Sequence, residues 1–111
     1  MDIYDTANQL AKEIRQSEEY MNYKMAKQAL NLNTSLKEKM AKFEQVRYET
    51  QLTAMQTGKQ DEVKYKEMQD LYAELIEIVD AKKYFEAETK FNIVIADVNK
   101  IIGEAIRDVI S

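Results

Sequence analysis

Paired carboxylates are the side chains in this sequence best suited to chemistry. Glu74 and Glu77 are three positions apart, a spacing that places both on one face of a helix, as in bundles that bind metal between facing helices. The di-iron bundles also use histidine, and this chain contains no histidine. We therefore interpret the pair as a solvent-exposed helix face, and expect no metal site and no cofactor.

A catalytic role is also not expected for the remaining polar residues. The chain has no cysteine, and Ser17, Ser35 and Ser111 fall at predicted helix caps or at the end of the sequence, with no histidine to activate them. Glu88 lies between Tyr84 and Phe91 on an apolar helix face, so it is either near the edge of an interface or paired with a basic residue, and we favour pairing. We predict an ion pair at Glu88 and a protein that is not an enzyme.

A locally basic stretch is the one feature that suggests nucleic acid. Five lysines between positions 24 and 42 are opposed only by Glu38; they are Lys24, Lys27, Lys37, Lys39 and Lys42. Such a stretch can contact phosphate, so an RNA-associated protein is the alternative interpretation. No aromatic residues alternate with these lysines in the way that base stacking requires, and a charge run is more often a solvated helix face. Nucleic acid is therefore not the expected partner.

Composition favours one folded domain over residues 1–111 in the cytoplasm. Of the residues 45% are apolar and 32% charged, and the net charge is −4. No apolar run approaches the roughly 20 residues that cross a bilayer, and the first residues are acidic where a signal peptide is basic. We expect no membrane association. Proline is absent and there are only two glycines, which predicts long helices with few tight turns.

The longest predicted helix runs from about Asp80 to Ile110 and carries an apolar face along its length. The residues that we assign to a dimer interface on this face recur mostly at intervals of three and four; they are Tyr84, Phe91, Ile95, Val98, Ile102, Ile106 and Val109. At 1.5 Å per residue such a helix is roughly 45 Å long, more than a compact domain of this size is wide. We predict that a second copy of the chain covers the overhanging part.

Four shorter helices are predicted before it. Helix one runs from Asp2 to about Arg15, Ser17 caps a second helix, and Asn33 caps a third that continues to about Met55. Gly58 in a left-handed conformation ends the third helix, and Asp61 caps a fourth, giving a hairpin between residues 35–56 and 62–78. No glycine or proline separates helices four and five, so these two helices are either distinct or continuous. The predicted fold is all-α, with four or five helices in antiparallel hairpins and a long C-terminal helix, forming a helical-bundle homodimer.

The order of these features resembles the YlbF/YmcA family of small bacterial helical proteins, and within it the YheA branch. The matching segments span nearly the whole chain; they are Ile3-Tyr4-Asp5-Thr6-Ala7-Asn8-Gln9-Leu10-Ala11, Ser17-Glu18-Glu19-Tyr20, Tyr23, Phe43, Gly58, Tyr84-Phe85-Glu86-Ala87-Glu88 and Asn99-Lys100-Ile101-Ile102.

The resemblance implies an all-α cytoplasmic homodimer that acts as a protein-interaction module or regulatory subunit. For the YlbF and YmcA branches it further implies control of competence, biofilm formation, sporulation and messenger-RNA processing, with partners among regulatory proteins of the same family or ribonuclease-associated complexes. Members of that regulatory complex bind an iron–sulfur cluster through cysteines, and this chain has none. The resemblance therefore does not extend to a cluster here.

Overall fold

The computed structural model describes residues 2–110 and contains five α-helices. They are α1 (Ile3–Gln16), α2 (Glu18–Asn31), α3 (Thr34–Thr57), α4 (Glu62–Leu75) and α5 (Val79–Ile110). Helix α2 packs mainly against α5, and α3 packs mainly against α4. The predicted all-α class, the hairpin of α3 with α4 and the long C-terminal helix are confirmed. No helix within residues 2–110 is long and apolar enough to cross a membrane.

The helix ends follow the predicted caps. The side chains of Asp2, Ser17, Asn33 and Asp61 accept hydrogen bonds from free backbone N–H groups in the first turns of α1, α2, α3 and α4. Gly58 ends α3 with φ 72° and ψ 3°, the left-handed conformation that an L residue adopts at a cost. Local chemistry therefore fixes three of the four turns between the helices, together with the start of α1.

The turn between α4 and α5 has no such local cause. Helix α4 ends at Leu75, α5 begins at Val79, and the two helices are distinct. The prediction that helix four reaches residue 78 is therefore wrong, and Glu77 lies in the turn rather than on a helix face with Glu74. The turn allows Leu75 and Ala81, on its two sides, both to enter the core, where their exposed fractions are 1% and 0%. Tertiary burial thus overrides the helix propensity of the sequence.

The core is small and lies where the two helix pairs meet. Its buried members are Leu30, Leu36, Met40, Phe43, Leu75, Ala81, Tyr84 and Phe85. The ring of Phe85 on α5 packs against Phe43 of α3 and Tyr72 of α4, with centroids 5.3 and 4.9 Å apart. Helix α1 contributes no buried residue, and neither does α5 after Phe85.

The subunit is much more open than its length requires. Its radius of gyration is 17.5 Å and its principal extents are 48 × 37 × 16 Å. A compact domain of this length has a radius of gyration of about 13 Å. The additional extent reflects a flat molecule, 16 Å across its thinnest direction. Much apolar surface therefore stays outside the core of a single chain.

Candidate interaction surface

A polar cluster marks the point on α5 where the core ends. The cluster consists of Tyr23 on α2, Glu44 and Arg47 on α3, and Tyr84 and Glu88 on α5. The Arg47 guanidinium donates from Nη1 to Glu88 Oε1 at 3.1 Å and from Nη2 to Glu88 Oε2 at 3.3 Å. It also donates from Nη2 to Glu44 Oε2 at 2.5 Å. The predicted ion pair at Glu88 is therefore confirmed, and its partner lies on α3.

Two tyrosines complete the cluster by a chain of hydrogen bonds. The Tyr23 hydroxyl donates to Glu88 Oε2 at 3.3 Å and lies 3.3 Å from the Tyr84 hydroxyl. Because Tyr23 gives its single proton to the carboxylate, Tyr84 is the donor to Tyr23. Among residues 2–110, Glu44 Oε1 is the buried side-chain oxygen or nitrogen that finds no hydrogen-bond partner. The cluster thus joins three helices and is crowded with acceptors.

The electrostatics of the cluster hold its two phenols and its guanidinium in their ordinary protonation states. Burial is the largest effect that raises the pKa of Tyr23, and the nearby Glu88 carboxylate, which accepts its proton, raises it further. Burial also raises the pKa of Tyr84. Burial lowers the pKa of Arg47, but the carboxylates of Glu88 and Glu44 outweigh it and raise that pKa overall. Both phenols stay neutral and the guanidinium stays charged near pH 7, so the cluster is suited to fixing the register of α2, α3 and α5.

The predicted interface residues on α5 divide at this cluster. Tyr84 is only 8% exposed and belongs to the core of its own subunit, so it offers no surface to a partner. The other six, here called the α5 stripe, are Phe91, Ile95, Val98, Ile102, Ile106 and Val109. Phe91 is half-buried, because its ring packs 5.8 Å from that of Tyr20 and 5.6 Å from that of Tyr23.

Beyond Phe91, α5 still carries apolar residues on this face, but the rest of the chain covers them less and less. Ile95 and Val98 are half-buried, and the exposed fractions of Ile102, Ile106 and Val109 are 51%, 45% and 82%. Charged residues of both signs occupy the opposite face of the helix, Lys100 and Glu104 among them, and are exposed. An amphipathic helix in water is stable only when its apolar face is covered. The α5 stripe is therefore the leading candidate for contact with another protein chain.

Helix α1 presents a second apolar face that the interface assignment did not include. Its stripe, here called the α1 stripe, consists of Ile3, Ala7, Leu10 and Ile14, spaced by intervals of three and four as in the α5 stripe. Ile3 is 78% exposed, Ala7 is exposed, and Leu10 and Ile14 are half-buried. The signal that identifies this face was present in the sequence as the same periodicity.

The basic stretch is partly neutralised by its neighbours. Lys39 Nζ lies 2.9 Å from Glu74 Oε1, and Lys42 Nζ lies 3.8 Å from Glu67 Oε1, both on α4. These contacts place two of the five lysines in ion pairs across the α3–α4 hairpin, which reduces the positive potential available to a phosphate backbone. The carboxylate of Glu74 is likewise engaged. Within residues 2–110, no three Asp, Glu, His or Cys residues are grouped as a metal site would require.

Comparison with known proteins identifies the family. The model of the family described as control of competence regulator ComK, YlbF/YmcA, matches residues 3–107. A UPF0342 protein of Desulfitobacterium hafniense is 36% identical over 110 residues, covering 99% of this chain and 89% of that protein. A UPF0342 protein of Symbiobacterium thermophilum is 32% identical over 105 residues, covering 94% and 93%.

Two solved structures share the fold. A protein of unknown function (DUF964) from Bacillus stearothermophilus superposes with a TM-score of 0.82 at 18% identity, covering 96% of this chain and 93% of that one. Bacillus subtilis RicA, solved in complex with RicF, gives a TM-score of 0.63 at 20% identity, covering 98% and 96%. The chain belongs to the YlbF/YmcA family, and the predicted resemblance to that family is confirmed.

Proposed function

We propose that this chain, as a member of the YlbF/YmcA family, is a non-enzymatic regulatory protein that forms a homodimer through the α5 stripe and binds other proteins. The exposed apolar face of α5 is the observation that carries the proposal. Three of its side chains, Ile102, Ile106 and Val109, are 45–82% exposed at regular helical spacing. Apolar residues scattered on a surface need no explanation, but a continuous helical stripe indicates an interface.

The partner at this stripe is proposed to be a second copy because the chain alone is too open to be a complete unit. A radius of gyration of 17.5 Å, against about 13 Å for a compact chain, is the mark of a subunit that packs on another. In a twofold-symmetric dimer the α5 stripes of both copies lie in the same interface, so both apolar faces are buried together.

A regulatory role through protein contacts rests on the family and on the chemistry of the surface. The family takes its description from control of a competence regulator, and RicA has been solved bound to another protein. The Tyr23 hydroxyl donates to Glu88, but that carboxylate is paired with Arg47 and the pKa of the phenol is raised, so the cluster is poorly suited to generate a phenolate nucleophile. We propose a cytoplasmic regulator with protein partners, in control of competence, biofilm formation or messenger-RNA processing.

Light scattering on the purified chain tests the dimer. We expect twice the chain mass of 13.0 kDa. The double variant Ile95→Asp/Ile102→Asp places two charges in the proposed interface, and we expect it to be monomeric or unfolded because an unpaired buried charge is costly. The matched control is Lys100→Asp, which makes the same change in net charge on the opposite face of α5 and should stay dimeric. A double variant that remained fully dimeric and equally stable would refute the proposed interface.

A further inference from the structure

We infer that α1 of one copy covers the distal half of α5 of the other copy, so that the dimer core is a bundle of four helices, two from each chain. This inference rests on the proposed homodimer and specifies how it is built. Its basis is that the chain leaves two amphipathic helical segments only partly covered and without a buried residue, namely α1 and residues 95–110.

The two uncovered segments match in length and in pattern. Helix α1 has 14 residues and is about 21 Å long, while residues 95–110 of α5 extend about 24 Å. The α1 stripe and the α5 stripe both repeat at intervals of three and four, which is the spacing that allows side chains of two helices to interlock. Each segment is therefore a fitting partner for the other along its whole length.

Helix α1 finds little cover within its own chain. Helix α2 packs against α5 as far as Phe91, whose ring meets that of Tyr20 near the start of α2, and α1 precedes α2 in sequence. Ser17 separates the two helices with an extended backbone, φ −70° and ψ 151°, and its hydroxyl caps α2 by accepting from the Tyr20 N–H group at 3.2 Å. The helix breaks there, and α1, which packs mainly on α2 within its own chain, contributes no buried residue to it.

The area needed for a stable dimer also favours a contribution from α1. Moving one large apolar side chain from water into a core removes roughly 60–120 Å² of surface from solvent. The α5 stripe has six residues, three of them already half-buried, so it supplies roughly 300–500 Å² of apolar surface per copy. A stable interface buries about 800 Å² per partner, of which roughly 450–520 Å² is apolar. The α5 stripe alone lies at or below that apolar area, and the α1 stripe together with the exposed Tyr4 ring brings the total above it.

A symmetric dimer then closes the surface completely. The twofold axis brings two copies of α1 and two distal halves of α5 together, so each apolar stripe meets two neighbouring helices instead of one. The core of each subunit, which ends at the polar cluster, continues into this shared bundle along α5.

Cysteine cross-linking tests the arrangement directly, since the natural chain has no cysteine and any introduced thiols are unique. The probe pair is Ala7→Cys in a chain enlarged by a tag and either Val98→Cys or Ala105→Cys in an untagged chain. The two α5 positions lie one heptad apart and bracket the register expected if the segments are centred on each other. The tagged and untagged chains are mixed and allowed to exchange subunits, and a short bis-maleimide is added. The main cross-linked product should then contain one tagged and one untagged chain. Met55→Cys, on the 82% exposed end of α3, replaces the α5 variant as the control for random collisions.

Each result has a defined meaning. A mixed product for the α5 variants but not for Met55→Cys supports the inference. Efficient linkage of Ala105→Cys chains to one another, without linkage to Ala7→Cys, means that α5 pairs with α5; the inference is then wrong while the dimer stands. Intramolecular linkage in a chain carrying both Ala7→Cys and Ala105→Cys means that α1 packs on its own α5. This result also overturns the inference. A monomeric mass for the unmodified chain overturns the proposed function itself.

A charge substitution in α1 gives an independent measurement. Ala7→Asp lies on the exposed α1 stripe and leaves the core of the single subunit untouched. We expect the dissociation constant of the dimer to rise about tenfold or more, because the interface would bury a charge. Gln9→Asp adds the same charge on the outer face of α1 and should leave the dissociation constant unchanged. Equal dissociation constants for the two variants would show that α1 is outside the interface.

Discussion

Removing Arg47 should destabilise the fold far more than removing its partner Glu88. Arg47 binds two carboxylates, those of Glu88 and Glu44, and loss of the guanidinium leaves both without a cation. Glu88 is only 14% exposed, and one oxygen of Glu44 is buried without a hydrogen-bond partner even in the intact cluster. Breaking a buried ion pair costs 3–5 kcal/mol, and we take the low end because Arg47 is 30% exposed. For Arg47→Met we therefore expect a loss of about 3 kcal/mol.

Glu88→Gln is expected to cost less because Arg47 keeps its contact with Glu44, and the amide oxygen still accepts a hydrogen bond. We expect about 1–1.5 kcal/mol, in the range for one charge-assisted hydrogen bond. The double variant Arg47→Met/Glu88→Gln should be more stable than the sum of the two losses predicts, by about 1–2 kcal/mol, because it removes a charge together with its partner.

The assay is urea unfolding followed by circular dichroism at one fixed protein concentration, since association contributes to the stability of a dimer. Lys39→Met is the control: its ion pair with Glu74 joins side chains that are 47% and 56% exposed, so it should cost less than about 1 kcal/mol. The reasoning fails if Arg47→Met costs no more than Lys39→Met, or if Glu88→Gln costs more than Arg47→Met.

Two further predictions concern a turn and a pH dependence. Gly58→Val should lower the free energy of unfolding by about 1 kcal/mol or more, and Gly58→Asn should lower it by less. The φ angle is 72° and no atom lies near enough to clash with an added Cβ, so backbone strain is the cost of either substitution. Equal urea midpoints for all three proteins would contradict this prediction. The pKa of Tyr23 is raised above its ordinary value of 10.0, so the unfolded chain loses this proton at a lower pH than the folded chain does, and stability should fall as pH rises above about 10. Tyr23→Phe removes this contribution, and a titration of stability from pH 8 to 11 should show a smaller alkaline loss than in the natural chain; parallel curves would show that the tyrosine is not responsible.

The sequence predicts the turns of this fold well where one residue decides them. Ser17, Asn33, Gly58 and Asp61 act on backbone groups within three or four positions, so residue type and spacing carry the information. The end of α4 at Leu75 differs because no residue near it breaks a helix. The end of α4 is set by the core, which Leu75 and Ala81 enter from the two sides of the turn. The spacing of apolar residues along a helix does not predict such long-range packing.

The partners of polar residues show the same limit. The position of Glu88 on an apolar face predicts that it needs a cation, but Arg47 is 41 positions away and any of several basic residues would satisfy the pattern. Periodicity likewise assigns Tyr84 and Ile102 to one face of α5. It does not tell which of them the same chain covers, because that depends on where α2 ends against α5, at Phe91.

In the proposed dimer, the division of α5 at the polar cluster separates folding from association along a single helix. Before Glu88 the apolar side chains of α5 pack against α2, α3 and α4 of the same chain, and Arg47 ties the helix to α3. After Phe91 none of its described side chains is buried, and we propose that a partner covers the apolar ones. A substitution on the first part should therefore change the stability of each subunit at any concentration, whereas one on the distal part should act through mass action and matter most when the protein is dilute. Because both parts lie on one continuous helix, docking of a second copy would restrain the far end of an element whose near end is already fixed in the core, which favours a rigid dimer over a loosely tethered one.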